Sequence, residues 1–135
     1  METYTERTGH RPDFEVYYRF LSQMEGGRKS PPHQHTRWDF LYEGDNPQVD
    51  GISMIWPEFI SPSGTVLPEG EIPFEGKALM FIVNAERRTF HKQRITIGTR
   101  CFFVEGQHKV AECQVIAIHG LADENSFKPD AHPDC

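Results

Sequence analysis

Two histidines separated by one residue, His33 and His35, have the spacing that most directly suggests chemistry in this 135-residue chain. In an extended strand, residues i and i+2 point to the same side, so both imidazoles would face one metal ion. Asp39, or alternatively Glu43, would add a carboxylate ligand. These residues allow a divalent-metal site, although two exposed loop histidines beside a Pro-Pro pair are the simpler interpretation, which we favour.

Four cations, which are Arg87, Arg88, Lys92 and Arg94, form the densest basic cluster of the sequence. Guanidinium and ammonium groups bind phosphate, so these residues are candidate contacts for phosphate or RNA. A solvated face is the simpler interpretation of such a cluster. The net charge of −6 disfavours RNA binding and predicts no DNA binding, because nucleic-acid-binding domains normally carry a basic surface.

The cysteines are Cys101, Cys113 and Cys135, an odd number at scattered positions. They do not form a disulfide framework, which favours a reducing cytoplasmic location and a packing role for Cys101 and Cys113. The polar first ten residues lack the apolar core of a secretory signal. Since no apolar run reaches the length of a membrane span, we expect no membrane association.

Short strands are the secondary-structure elements that must position the candidate metal and phosphate ligands. In residues 14–20, aromatic and β-branched residues alternate with Glu15, Tyr17 and Arg19, which is the period of a half-buried strand. Gly26 and Gly27 then predict a turn. A second strand follows at 37–42, and a third at 51–60 is interrupted by Pro57, as is typical of an edge.

The rest of the chain continues this pattern. We predict a strand buried on both faces at 77–84, a short strand at 95–97, and a hairpin of strands 100–104 and 109–118 joined at Gly106. No helix is evident. The expected domain organisation is a flexible N-terminal arm at 1–12, an all-β barrel or sandwich at 13–119 and a flexible tail at 120–135.

Several of these segments, in order along the chain, resemble the third domain of the elongation factor Tu family of translational GTPases. The similar segments are FEVYYRFLSQMEGGR at 14–28, LPEG at 67–70, IPFEGKALMFIV at 72–83 and GTRCFFVEGQHKVAECQVI at 98–116. The resemblance implies an all-β fold, a small six-stranded antiparallel barrel. The region around 43–66 is longer than in the family, so we expect a long loop or an extra hairpin there.

In that family the third domain has no catalytic residues; it contacts the T stem of aminoacyl-tRNA, the GTPase domain and an exchange factor. The resemblance places Arg28, Glu105 and Gly106 at contact positions, and the neighbouring Gln107 joins them as a candidate partner-binding residue. This chain has no G-x-x-x-x-G-K-[ST] phosphate loop.

Three hypotheses follow. The first is a non-catalytic binding module without a cofactor that engages a protein partner through these residues. The second is a metal-dependent enzyme, because His33 and His35 before an acid also resemble the first metal motif of cupins. The third is a weak tRNA- or RNA-binding domain that uses Arg28 and the basic cluster.

Overall fold

The computed structural model describes residues 3–46, 53–106 and 108–122, and its core is a closed barrel of six antiparallel strands. The order around the barrel is β1-β4-β3-β2-β5-β6, and β6 pairs with β1 to close it. The predicted fold class is confirmed. The strands are β1 (Phe14–Phe20), β2 (Trp38–Tyr42), β3 (Ser53–Ile60), β4 (Glu75–Ile82), β5 (Arg100–Glu105) and β6 (His108–Ile118).

The period of two in β1 has the expected consequence. Its alternate residues Phe14, Val16, Tyr18 and Phe20 are buried inside the barrel, while the residues between them face outward. The interior is filled mainly by rings, and Phe59 packs edge-on against Tyr18 with ring centroids 4.9 Å apart. This packing favours a closed barrel because an open sheet would expose one side of these rings to water.

The predicted long loop or extra hairpin at 43–66 contains β3, which is an integral strand between β2 and β4. Pro57 nevertheless lies at a local edge. The pairing of β2 with β3 ends at Trp38 and Ile55, so no β2 residue lies opposite Pro57. A proline is tolerated there because its missing N–H would have had no ladder partner.

Beyond the end of the β2–β3 pairing, a buried side chain takes the place of a neighbouring strand along β3. The amide group of Gln34 donates to the backbone oxygens of Phe59 and Leu67, both at 2.9 Å. Its Oε1 accepts the Phe59 N–H, also at 2.9 Å. Gln34 therefore satisfies backbone groups of β3 that β2 is too short to reach.

Two helices lie outside the barrel, where the sequence indicated none: α1 (Tyr4–Thr8) and α2 (Arg88–Arg94). Residues 3–8, expected within a flexible arm, instead pack on β3 and β4. The centroid of the Tyr4 ring lies 4.5 Å from that of the Phe81 ring. The backbone N–H of Tyr4 donates to the buried carboxylate of Glu58 at 2.8 Å. This cover explains why β4 is buried on both faces near its end.

No helix within 3–46, 53–106 or 108–122 is long and apolar enough to cross a membrane.

The short strand predicted at 95–97 is not formed. Ile95 ends α2, and the following turn is closed by the Thr96 N–H, which donates to the Thr99 hydroxyl at 3.0 Å. The first residues of the predicted flexible tail are ordered against the barrel, because Gly120 and Leu121 are buried in a 3₁₀ turn. Residues 123–135 lie outside the described part of the chain.

Cys101 and Cys113 are directly paired between β5 and β6, and both are buried as free thiols. Burial raises the pKa of the Cys113 thiol well above its usual value. Both residues therefore act as small core side chains, which agrees with the packing role predicted for them. Cys135 lies outside the described residues.

Candidate binding surface

Three of the four predicted partner-binding residues meet at one end of the barrel, where β1 ends and the β5–β6 turn lies. Arg28 Nη1 donates to Glu105 Oε2, and Trp38 Nε1 donates to the same oxygen at 3.0 Å. Arg28 also donates to the Ser30 hydroxyl at 3.0 Å. Gly106 follows in the turn with a left-handed φ of 64°. The fourth residue, Gln107, lies outside the described residues.

The Glu-Gly-Gly-Arg turn is held by local contacts that explain its residue types. Ser22 and Glu25 form a reciprocal capping box around the 3₁₀ turn Gln23–Glu25. Gly26 adopts a left-handed φ of 92°. Gly27 packs so closely on the Leu21 carbonyl that a Cβ atom there would lie 2.1 Å from its oxygen.

Glu25 is fixed from outside this turn as well. Both of its carboxylate oxygens accept hydrogen bonds from the Arg19 guanidinium, each at 3.1 Å. The hydrogen bonds from Arg19, followed by the bond from the Ser22 N–H, lower the pKa of Glu25 to about 2. The carboxylate therefore stays charged well below neutral pH and keeps its hydrogen bonds to Arg19 and to the Ser22 N–H.

A groove of about 250 Å³ opens beside Arg28. Its lining is mainly apolar and includes Leu21 and Phe74, together with the Pro-Pro pair that follows Ser30. Phe74 is 55% exposed, and Met24 at the tip of the adjoining 3₁₀ turn is 99% exposed. Exposed large apolar side chains beside a groove are typical of a surface that contacts another molecule.

Cationic groups stand at the same groove. Lys29 contributes to its lining, is exposed, and forms no ion pair within the described part of the chain. Arg28 is the second cation, already balanced by Glu105. We define the rim surface as the residues that combine these features: Met24, Arg28, Lys29, Phe74, Glu105 and Gly106.

The predicted basic cluster lies at the opposite end of β1, and its arginines bind other parts of the protein. Arg88 donates to the buried carboxylate of Asp13 and to the Gly120 carbonyl at 2.7 Å. Arg94 binds both carboxylate oxygens of Asp45, at 2.8 and 3.0 Å.

The other two cations of the cluster differ from each other. Arg87 lies 4.0 Å from the centre of the Phe90 ring and donates to the Ser53 hydroxyl at 3.2 Å. Lys92 is exposed on α2. The three arginines therefore attach the segment containing α2 to the barrel, which leaves less positive charge for a phosphate than the sequence suggested.

A buried histidine, His91, lies beneath these arginines. Its Nδ1 is 2.7 Å from the Tyr42 hydroxyl, and its Nε2 has no hydrogen-bond partner among the described residues. Burial, followed by the positive charge of Arg87, lowers the pKa of His91 to about 4. The ring is therefore neutral at physiological pH.

This neutral state predicts a pH-dependent stability. The unfolded chain binds a proton at His91 below about pH 6.5 whereas the folded protein does not, so the contribution is present above that pH and is lost as pH falls toward the folded pKa. Between about pH 6.5 and pH 5 the free energy of unfolding should fall by roughly 2 kcal/mol through this residue. Urea denaturation of the protein and of His91→Gln over this range measures the difference. His108→Gln, at an exposed position, is the control, and a slope that His91→Gln does not reduce would contradict a buried neutral ring.

The three residues of the metal hypothesis do not share a strand face. His33 forms an isolated bridge with Glu71, whereas His35 has a left-handed φ of 65°, so the alternation expected of an extended strand does not apply. The His35 nitrogens lie 3.5 Å from Glu58 and 3.4 Å from Glu69. Asp39 is in β2, opposite Val104. Over residues 3–46, 53–106 and 108–122, no group of three His, Cys, Asp or Glu side chains is arranged to hold a metal ion.

Several residues of interest were not identified from sequence. Met24 carried a usable signal, because a large apolar residue is unusual in a polar turn, and Phe74 carried the same signal between Pro73 and Glu75. The buried ion pair between Asp13 and Arg88 carried none, since these residues are 75 positions apart.

No model of a known protein family matches this chain, and no curated protein matches its sequence.

Proposed function

We propose that this protein is a non-catalytic binding module that captures a segment of a partner protein on the rim surface. The observation that carries the proposal is the open apolar groove beside Arg28, which the exposed Phe74 helps to line, with the exposed Met24 in the adjoining 3₁₀ turn. Their exposure has no benefit for the isolated barrel, because apolar surface is more stable when removed from water. A partner that covers them would gain this free energy.

The rigidity of the surface supports the same function. Met24 is presented by a turn that the Ser22–Glu25 capping box and the close packing of Gly27 hold in place. The backbone of Phe74 is held too, because its carbonyl accepts the Phe20 N–H at 2.7 Å. A preformed surface loses little conformational entropy when a partner binds, which favours affinity.

The charges at the groove indicate which chemistry the partner segment has. Lys29 stands at the groove without a carboxylate partner in the described structure, while the chain as a whole carries a net charge of −6. The segment that fits best places an apolar side chain in the groove and an Asp or Glu beside Lys29. The net charge attracts a basic segment at long range, but at the groove that segment would meet the like charge of Lys29.

The resemblance to the third domain of the elongation factor Tu family supports this proposal as an analogy. Its two most specific turns, at Arg28 and at Gly106, are adjacent on the rim surface. In that family the domain acts by contacting other macromolecules, with no catalytic residues. A translation-related partner is therefore the partner class that the analogy favours.

The proposal predicts that rim variants lose binding without losing stability. The wild type is used to select from a displayed peptide library and, separately, to recover proteins from cell extract that are then identified by mass spectrometry. Selected peptides should combine an apolar residue with Asp or Glu. The double variant Met24→Ser, Phe74→Ser should weaken binding of both peptides and partner by about a hundredfold, as expected when two buried apolar side chains are lost. Its melting temperature should stay unchanged.

Two controls make this test specific. Ile97→Ser removes an apolar side chain that is 63% exposed but lies outside the rim surface, and it should bind as the wild type does. Arg28→Glu should weaken binding, and combining it with Glu105→Arg restores the internal ion pair with reversed positions. If the swap restores binding, Arg28 has only a structural role. If binding stays weak while the melting temperature equals that of the wild type, the partner contacts the charge of Arg28. Equal loss in Ile97→Ser, or no loss in the double variant, would overturn the proposal.

A further inference from the structure

A second concavity, of about 440 Å³, lies on the outer wall of the barrel and is separate from the rim surface. Its floor is the outer face of β3 and β4, where Ile60 and Leu79 provide apolar surface. One wall is the segment before β1, at Arg11 and Pro12, and the other is the turn at 62–64. The volume lies in the range of small-molecule sites.

The charges around this cleft are mainly positive. Arg11 and Lys77 are the permanent cations of its lining, which also contains His119 and one acid, Glu15. The acid is already engaged, since the His119 Nε2 lies 2.9 Å from its Oε1. Two permanent cations in one cleft are notable in a chain whose net charge is −6.

Lys77 is the residue whose surroundings most clearly leave it available. Its direct neighbours across the strands are Tyr17 on β1 and Ile60 on β3, neither of which carries a charge. The nearest acid along its own strand, Glu75, accepts a hydrogen bond from the Tyr17 hydroxyl at 2.5 Å. In the residues that the structure describes, Lys77 has no ion-pair partner. A carboxylate entering the cleft would supply one beside an apolar floor.

We propose that this cleft binds a small amphipathic carboxylate, with the anionic group on Lys77 and a short alkyl chain on Ile60 and Leu79. This site is independent of the rim surface and of the protein partner proposed for it.

The experiment uses octanoate as the probe, titrated into the full-length protein by calorimetry and by amide NMR. Octanoate should bind and shift the amide resonances of β3, β4 and the 62–64 turn. Lys77→Met keeps the aliphatic stem but removes the charge, and it should weaken binding about tenfold, as for the loss of one charge-assisted hydrogen bond. Lys77→Arg should retain binding. Lys29→Met, a lysine of the rim surface, is the matched control and should bind octanoate as the wild type does.

Two further probes separate the parts of the ligand. Octanol lacks the charge and inorganic phosphate lacks the alkyl chain, so both should bind at least tenfold more weakly than octanoate. Octanol that binds equally well would overturn the role of Lys77, and phosphate that binds equally well would overturn the role of the apolar floor. Failure of octanoate to bind at all would remove the site while leaving the rim surface untouched.

Discussion

Replacing Arg88 by methionine is expected to lower the free energy of unfolding by about 3 kcal/mol, the lower end of the range for breaking a buried ion pair. The reason is the partner that remains. Asp13 is 0% exposed, so without Arg88 its carboxylate would stay buried with less compensation. The hydrogen bonds from the His10 ring and the Ile82 N–H persist and limit the loss. Urea denaturation at neutral pH measures the change.

The same variant should also shift acid unfolding. Burial raises the pKa of Asp13, but hydrogen bonds from His10, the Ile82 N–H and Arg88 together lower it by more. The charged carboxylate therefore stabilises the fold above its unfolded pKa of about 3.9, and this stability is lost as pH falls through the lower folded value. Arg88→Met lacks one of the hydrogen bonds that lower the pKa of Asp13. Its acid unfolding should therefore begin at a higher pH than that of the wild type.

Two comparisons test this explanation of the loss. Lys29→Met removes an exposed cation that forms no ion pair within the described residues and should change stability by no more than about 0.5 kcal/mol. The double variant Asp13→Asn, Arg88→Met removes both charges and should be less destabilised than the sum of the single variants. A loss below about 1 kcal/mol in Arg88→Met would mean that the buried carboxylate does not depend on this arginine.

Gly27→Ala is expected to destabilise the protein by about 3 kcal/mol, a large value for adding one methyl group. The new Cβ would lie 2.1 Å from the Leu21 oxygen and 2.6 Å from its carbonyl carbon, so backbone atoms must move. That movement strains the hydrogen bond from the Gly27 N–H to the Ser22 carbonyl, now 2.8 Å long. Because this turn presents Met24, partner binding at the rim surface should be lost together with stability.

Gly64→Ala separates this clash from the general effect of replacing a turn glycine. Gly64 has a left-handed φ of 96°, but no atom lies within 4 Å of the added Cβ position. Its replacement should therefore cost only the conformational strain of about 1 kcal/mol, with binding at the rim surface unchanged. Thermal and urea denaturation of both variants give the comparison. Equal losses in both would contradict close packing at Gly27.

Local pattern was enough to predict most of the barrel. The alternation in β1 and the Gly106 hairpin depend on neighbours in sequence, so their strands could be identified directly. Helix α1 could not, because five residues do not form a stable helix alone; it is stabilised by Glu58, more than fifty positions away. A strand was predicted at 51–60, but the place of β3 between β2 and β4 was not, since the side chain of Gln34 forms the hydrogen bonds to β3 beyond the end of β2.

In the candidate site, too, some features could be predicted from the sequence and others depend on contacts that only the folded protein shows. Paired glycines predicted a turn at 26–27, and Gly26 has the expected positive φ, but the need for glycine at 27 arises from contact with the Leu21 carbonyl. The basic cluster was visible as composition, whereas its acidic partners, Asp13 and Asp45, are distant in sequence. Charge density along a chain therefore does not reveal which cations remain available to a ligand.

The point where the polypeptide enters the barrel adjoins the point where it leaves. Phe14 at the start of β1 lies opposite Ile118 at the end of β6, and the Asp13 carbonyl accepts the N–H groups of His119 and Leu121. The rim surface is at the other end of β1. A domain with adjacent entry and exit strands can be inserted into an exposed loop of a host protein without separating the ends of that loop. The barrel could thus serve as a transplantable recognition unit, displayed with its rim directed away from the host.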